Sequence, residues 1–126
     1  MKTPKRLFGD WGEEAAVTLL AKKGYDIIDR NYRVRRGEID IIAWMNQREK
    51  TLCFIEVKTR KGDPRDGMAE RATDAEKIAR IARAARCWCL AHTISIDHTP
   101  IQFEQVSVYD TGTGPPEIFH YILPSS

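Results

Sequence analysis

Apolar residues near the start of the chain recur three or four positions apart, which is the spacing of one face of a helix. The pattern extends from Leu7 to Lys23, and Gly24 follows it as a stop signal. We therefore predict a first helix over residues 7–23. Its apolar positions are Phe8, Trp11, Ala15, Ala16, Leu19 and Leu20.

Shorter apolar runs, bounded by polar or glycine-containing segments, predict strands in the rest of the chain. The polar segment NQREK separates two of these runs by a turn, so the strands around it are expected to form a hairpin. The segment TGTGPP is a second predicted turn near the end of the chain. The predicted strands are Tyr25–Arg33, Glu38–Met45, Leu52–Thr59, Thr99–Tyr109 and Ile118–Ile122.

Helical spacing returns after the loop segment RKGDPRDGM. Thr73 and Glu76 have the spacing of a capping box, so a second helix is predicted to start there and to run to about Ala91. The stripe expected to pack on the sheet is Ile78, Ile81, Ala82, Ala85 and Cys89. The length of the chain suits one domain, residues 1–126.

Composition limits the class of protein. Twenty Lys and Arg against eighteen Asp and Glu give a net charge of +2, so any basic surface must be local. Three unpatterned cysteines argue against a disulfide framework and favour a reducing compartment. No apolar run reaches the roughly 18 residues of a membrane span, and no signal-peptide pattern is present. We expect a soluble cytoplasmic protein without a membrane partner.

Charged residues interrupt the apolar strand FIEVKTR, residues 54–60. Side chains alternate along a strand, so Glu56 and Lys58 share one face. In the preceding strand Asp40 interrupts another apolar run. A hairpin that closes symmetrically around Arg48 places Asp40 opposite Glu56 with both carboxylates on one face, whereas a slip of one residue separates them.

Strict alternation also assigns the neighbours of Asp40. It puts Asp40 and Ile42 on one face of the strand and Ile39 and Ile41 on the other.

Two opposed carboxylates repel each other unless a cation lies between them, and a divalent metal with oxygen ligands meets this need. Lys58 is an alternative source of part of that positive charge. Glu13, near the docking face of the first helix, is a candidate third carboxylate. The spacing alone equally allows Glu56 and Lys58 to be a structural ion pair on a half-exposed strand.

These residues resemble a known nuclease core. Asp40, fifteen intervening residues and Glu56-x-Lys58 on consecutive strands resemble the PD-(D/E)xK motif, with Ile39 in place of the proline. Together, the segments from Gly9 to Tyr121 resemble the YraN-like family of uncharacterised bacterial proteins. They are Gly9-x-x-x-Glu13, Gly24-Tyr25, Asn31-x-Arg33, Gly37-Glu38-Ile39-Asp40, Phe54 to Arg60, and Lys77. The loop over residues 61–72 is only loosely similar.

The resemblance implies a restriction-endonuclease-like α/β fold, with a mixed central β-sheet flanked by helices. It also implies a Mg²⁺ (or Mn²⁺) site with Asp40, Glu56 and Glu13 as ligands and Lys58 as the catalytic lysine. Metal and lysine would stabilise charge on the scissile phosphate, and the metal would lower the pKa of the attacking water.

The first hypothesis for function is therefore a metal-dependent nuclease that hydrolyses phosphodiester bonds in DNA during repair, recombination or processing. The alternative is a non-catalytic nucleic-acid-binding module of the same fold that acts as an adaptor. A double-strand cut with one active site per chain would require a homodimer.

Basic residues cluster before the predicted hairpin, after it, and along the second helix. The first two groups flank the candidate site, so we expect them to contact DNA phosphates, including those of branched or single-stranded DNA. The predicted contacts are Arg33, Arg35, Arg36, Arg60, Lys61 and Lys77. Arg80, Arg83 and Arg86 on the same helix suit a solvated face as well as a binding surface.

Overall fold

Five strands form a single mixed sheet in the order β1-β2-β3-β4-β5, with one helix packed on each face. The computed structural model describes residues 1–46, 50–64 and 75–124. A short 3-10 turn, Ile96–His98, precedes β4. The elements are α1 (Pro4–Lys22), β1 (Tyr25–Val34), β2 (Gly37–Asn46), β3 (Lys50–Lys61), α2 (Ala75–Ala91), β4 (Ile101–Asp110) and β5 (Glu117–Ile122). The predicted α/β fold with a mixed sheet is confirmed.

Helix α1 begins three residues earlier than predicted because its start is set by capping rather than by apolar spacing. The Thr3 hydroxyl oxygen accepts a hydrogen bond from the Arg6 amide at 3.2 Å, and Pro4 occupies the first turn. At the other end, Gly24 has a φ of +91°, a left-handed conformation that glycine adopts without strain.

Connectivity explains the position of α2. β3 and β4 are parallel, whereas the other neighbouring strands are antiparallel. Parallel strands need a long crossover, and α2 supplies it. Neither described helix is long and apolar enough to cross a membrane.

The two faces of the sheet have separate cores. Ala16 and Leu20 of α1 pack with Ile41 and Ile55, while Ile81 of α2 packs on the opposite face. The predicted stripe of α2 needs a correction, because Ala84 and Trp88 are buried and Ala82 is only partly buried. The predicted cap at Thr73 lies outside the described residues.

The hairpin register agrees with the prediction. Pairs run from Asn46 opposite Lys50 to Ile41 opposite Ile55, which is symmetric about residue 48. The turn residues 47–49 lie outside the described residues. Both strands of the hairpin are longer than predicted, because their ladders continue into flanks that carry no apolar pattern, whereas β4 begins two residues later than predicted. Arg60 and Lys61, for example, belong to β3 rather than to the following loop.

Strict alternation along β2 is broken next to Asp40, so the predicted face of Ile39 is wrong. Ile39 packs with Ile42 in the core under α2, whereas Ile41 lies in the core under α1. The register of β1 places Asn31 between the partners of Ile39 and Ile41, opposite Asp40. Asn31 has a φ of +54°, a left-handed conformation that asparagine tolerates better than most residues. Both strands are therefore irregular at the same point.

Close packing of α1 on β3 depends on Gly12. A Cβ atom at position 12 would lie 2.1 Å from Thr59 Oγ1, whereas a Cβ atom at Gly9 would meet nothing within 4 Å. The two glycines lie in one helix and therefore form a matched pair. We expect Gly12→Ala to lower the free energy of unfolding by about 1–3 kcal/mol through overpacking. Gly9→Ala should raise it by about 0.5–1 kcal/mol through helix propensity. Urea denaturation measures both, and equal effects would contradict the close α1–β3 contact.

Candidate functional site

A gap between β2 and β3 is the central feature of the site. Pairing between the two strands ends at Ile41 and Ile55, yet β2 continues to Gly37 beside β1 and β3 continues to Lys61 beside β4. We call this gap, between residues 37–40 of β2 and 56–61 of β3, the fork. Asp40 bridges it, because its Oδ2 accepts a hydrogen bond from the Val57 amide at 2.7 Å.

The position of Asp40 in the fork disfavours its ionised form. Burial raises the pKa of this carboxyl to about 6, while the hydrogen bond from Val57 lowers it. The negative charges of Glu56, Glu13 and Glu38 raise it further. Three carboxylates therefore act on Asp40 at the fork, an arrangement that favours a nearby positive charge.

Two lysines flank Glu56. Lys58 Nζ lies 3.4 Å from Glu56 Oε1, and Lys77 Nζ of α2 lies 3.2 Å from Oε2. Lys77 also donates to Gln105 Oε1 at 2.9 Å, which fixes its amine over the strand. Among the described residues, Glu56 Oε2 is buried without a hydrogen-bond partner. Buried acceptors are nearly always hydrogen-bonded, whereas this oxygen has only its ion pair with Lys77.

Asp40 and Glu56 both border the fork but line different clefts, and the expectation that one ion reaches both carboxylates stays a prediction. Asp40 lines a cleft under α1 together with Glu13 and Thr59. Glu56 and Lys58 line a second cleft, under α2. The break in alternation at Asp40 is the physical reason. The two clefts meet, because Arg33 and Glu38 line both of them.

Glu13 is nine-tenths buried and already has partners. Its Oε1 accepts hydrogen bonds from Arg30 Nε at 3.1 Å and from Asn31 Nδ2 at 3.2 Å. Arg30 also contacts Glu14 at 2.6 Å. No group of three or more His, Cys, Asp or Glu with metal-binding geometry occurs within residues 1–46, 50–64 and 75–124. The assignment of Glu13 as a metal ligand stays a prediction. Asp40 and Glu56 both border the fork, and their assignment as ligands stays a prediction as well.

Most of the predicted phosphate contacts surround the cleft under α2. Arg33 pairs with Glu38 at 3.6 Å, and both side chains are exposed. Lys77 is directed toward Glu56, with only 18% of its side chain exposed. Arg60 is exposed at the end of β3, and Lys61 lies over the ring of Phe8 at the edge of α1. The basic residues that line this cleft are Arg33, Arg35, Arg36, Lys58, Lys77, Arg80 and Arg83.

Sequence reasoning left the role of some of these residues open. Arg80 and Arg83 follow Lys77 at intervals of three, and this helical spacing was an available signal for a common face. Gln105 is a buried polar residue in an apolar strand, which is a weaker signal. Arg30 and Asn31 as partners of Glu13 had no signal in the sequence, because their contacts depend on the irregular backbone of β1.

Comparison with known proteins places the chain in a family. The sequence profile described as "Uncharacterised protein family UPF0102" matches residues 12–108. A UPF0102 protein of Frankia casuarinae is 38% identical over 116 residues, covering 92% of this chain and 93% of the relative. A UPF0102 protein of Chlorobium phaeobacteroides is 36% identical over 121 residues, covering 87% of this chain and 91% of the relative. The chain belongs to the UPF0102 (YraN-like) family, within the restriction-endonuclease-like superfamily.

Proposed function

We propose that this protein is a metal-dependent nuclease that hydrolyses phosphodiester bonds in DNA, the reaction class used in DNA repair, recombination and processing. The observation that carries the proposal is the fork, where a carboxyl of raised pKa and a buried carboxylate oxygen without a hydrogen bond lie beside Lys58. Carboxylates buried at a break in a sheet destabilise a protein unless a cation or hydrogen-bond donors compensate their charge. Acids of perturbed pKa are concentrated at functional sites, so the arrangement favours a functional role.

The donor set at the fork fits Mg²⁺ or Mn²⁺. Hard cations prefer oxygen ligands, and Mg²⁺ commonly keeps several waters while it binds one or two carboxylates and substrate phosphates. Asp40 and Glu56 would supply the two carboxylates, and the ion would contact Glu56 Oε2, which pairs with Lys77 but accepts no hydrogen bond. A bound ion would stabilise charge on the phosphate and lower the pKa of water.

The remaining residues of the site support phosphate chemistry. Lys58 is 40% exposed and adjoins Glu56, so its amine can reach both a phosphate in the cleft and the acid beside it. Lys77 and Gln105 hold the Glu56 carboxylate in place. Arg35, Arg80 and the other arginines of the cleft would bind the phosphate backbone. A double-strand cut would pair two chains as a homodimer.

One observation favours a second candidate, a non-catalytic nucleic-acid-binding module of the same fold. Lys58 and Lys77 already provide two positive charges beside Glu56. A purely structural cluster of ion pairs would have the same arrangement. The raised pKa of Asp40 argues for the nuclease. A pure binding module gains nothing from a buried carboxyl whose surroundings disfavour its ionised form.

Lys58→Met separates catalysis from metal binding. We expect cleavage of duplex and single-stranded DNA to fall by about 10²–10³-fold, as on removal of one charge-stabilising donor. Metal affinity should be unchanged or tighter, because lysine is not a Mg²⁺ ligand and competes with the ion. Lys50→Met, at the exposed far end of the same strand, is the control. Glu56→Gln should lose metal binding and cleavage together. Full activity of Lys58→Met would contradict the nuclease proposal.

Asp40→Asn tests the raised pKa in the metal-free protein. Because the pKa is raised from 3.8 to about 6, the contribution of Asp40 to stability is greatest below about pH 4 and is lost as the pH rises through about 6. At pH 7 the loss is at most about 3 kcal/mol. The amide oxygen can still accept from Val57, so the variant should lack this pH dependence and be more stable at pH 7. Urea denaturation in the presence of a chelator, over a range of pH, measures the stability of the parent and of the variant.

Added magnesium is the second arm of the Asp40→Asn experiment. It should raise the melting temperature of the parent and leave that of the variant unchanged. A variant that melts well below the metal-free parent, with no response to magnesium in either protein, would mean that Asp40 is a structural residue and would favour the binding module.

Arg80→Gln tests whether the cleft under α2 binds phosphates. Arg80 lines the cleft, and Arg86 is an exposed arginine of the same helix that is not among the residues lining it. Loss of one phosphate contact should weaken binding to DNA of any sequence and reduce the slope of log K against log salt by about 0.9. Arg86→Gln should change neither. Fluorescence anisotropy over a range of salt measures both variants, and identical slopes would locate the phosphate contacts elsewhere.

A further inference from the structure

Two aromatic rings at the N-terminal end of α1 lie beside the site without a role in the proposed chemistry. Phe8 and Trp11 are stacked, with ring centroids 5.6 Å apart and an interplanar angle of 12°. Trp11 remains 39% exposed, and Leu7, one helical turn before it, is 56% exposed. Exposed apolar groups that adjoin a charged cleft commonly mark a binding surface.

Positive charge surrounds these rings. Lys61 Nζ lies 5.2 Å from the centroid of the Phe8 ring. Lys5 and Arg6, both exposed, line the cleft under α1 together with Phe8. Proteins that bind single-stranded nucleic acid combine these two elements, cations for the backbone and aromatic rings on which bases stack.

The same cleft leads to the fork. Phe8 and Asp40 both line the cleft under α1. A nucleic-acid strand bound in this cleft would therefore extend from the rings toward the carboxylates. The arginine-lined cleft under α2 begins where Arg33 and Glu38 are shared by both clefts. The cleft under α1 therefore suits bases, and the cleft under α2 suits a phosphate backbone.

We infer that Phe8 and Trp11 form a stacking surface for unpaired bases, so that the substrate is DNA with single-stranded nucleotides next to the scissile phosphate. A paired base is already stacked within its duplex, and only an unpaired base is available to a protein ring. The substrate class rests on the proposed nuclease function. The stacking itself does not, because it requires binding and no turnover.

The test compares three probes in EDTA, where cleavage is absent: a (dT)₁₂ oligonucleotide, an abasic strand with the same number of phosphates, and a blunt duplex. The parent should bind (dT)₁₂ more tightly than the abasic strand. Trp11→Ala should weaken binding of (dT)₁₂ by between about 5-fold and 150-fold and leave the other two probes unchanged. Trp11→Phe keeps a ring and should retain most of the affinity.

Controls separate stacking from loss of apolar surface or of folding. Leu90→Ala removes a 75% exposed side chain from the far end of α2 and should change none of the three affinities. Unchanged affinity of Trp11→Ala for the abasic strand reports an intact fold. In the parent, (dT)₁₂ should quench tryptophan emission, and Trp11→Phe, which keeps its fold and its affinity, should lose that quenching.

Equal binding of (dT)₁₂ and the abasic strand by the parent would overturn the inference. So would an unchanged affinity of Trp11→Ala for all three probes, which would make the patch a contact for protein, or a uniform loss on all three. Failure of the nuclease proposal looks different: (dT)₁₂ would be bound through Trp11, but no DNA would be cut with magnesium. Cleavage with equal binding of all probes would overturn the stacking surface alone.

Discussion

The hydrogen bond from the Val57 amide to the Asp40 carboxylate is the interaction on which the site depends. Backbone amides inside a sheet need an acceptor, and pairing between β2 and β3 has ended one residue pair before this point. The side chain of Asp40 supplies the acceptor that the partner strand does not. Because the acid closes the ladder, its position is fixed by the fold, even though burial and three neighbouring carboxylates oppose its charge.

Comparison with Glu104 shows why the fork differs from an ordinary buried acid. Glu104 is fully buried, and burial opposes its ionisation, yet hydrogen bonds from His120, Gln102 and Tyr25 hold its pKa below the ordinary value. Every donor needed to stabilise that carboxylate is built into the protein. Asp40 has one backbone donor and a raised pKa, and Glu56 has a buried oxygen without a hydrogen bond. The acids at the fork therefore have fewer hydrogen-bond donors than Glu104 has, which supports the cation that we propose there.

The sequence predicted the elements, the register of the hairpin and the residues around the fork, because each follows from local patterns. Apolar spacing located both helices, and the parity of the NQREK turn set Ile41 opposite Ile55. The sequence could not predict the break in alternation at Asp40. The break coincides with a φ of +54° at Asn31 on the adjacent strand, and no pattern within β2 indicates the conformation of its neighbour. The contact of Lys77 with Gln105 likewise joins positions far apart in sequence.

Topology explains why these charges meet at one place. β3 is the middle strand of the sheet, so α1 packs on one of its faces, through Gly12 and Thr59, and α2 covers the other. The parallel pairing of β3 with β4 requires a crossover, and the start of that crossover brings Lys77 over Glu56. At the fork β3 borders the clefts under both helices, because β2 has separated from it there. Residues under either helix therefore reach the same gap, so in the proposed nuclease one strand would carry the chemistry while two clefts would hold different parts of a nucleic acid.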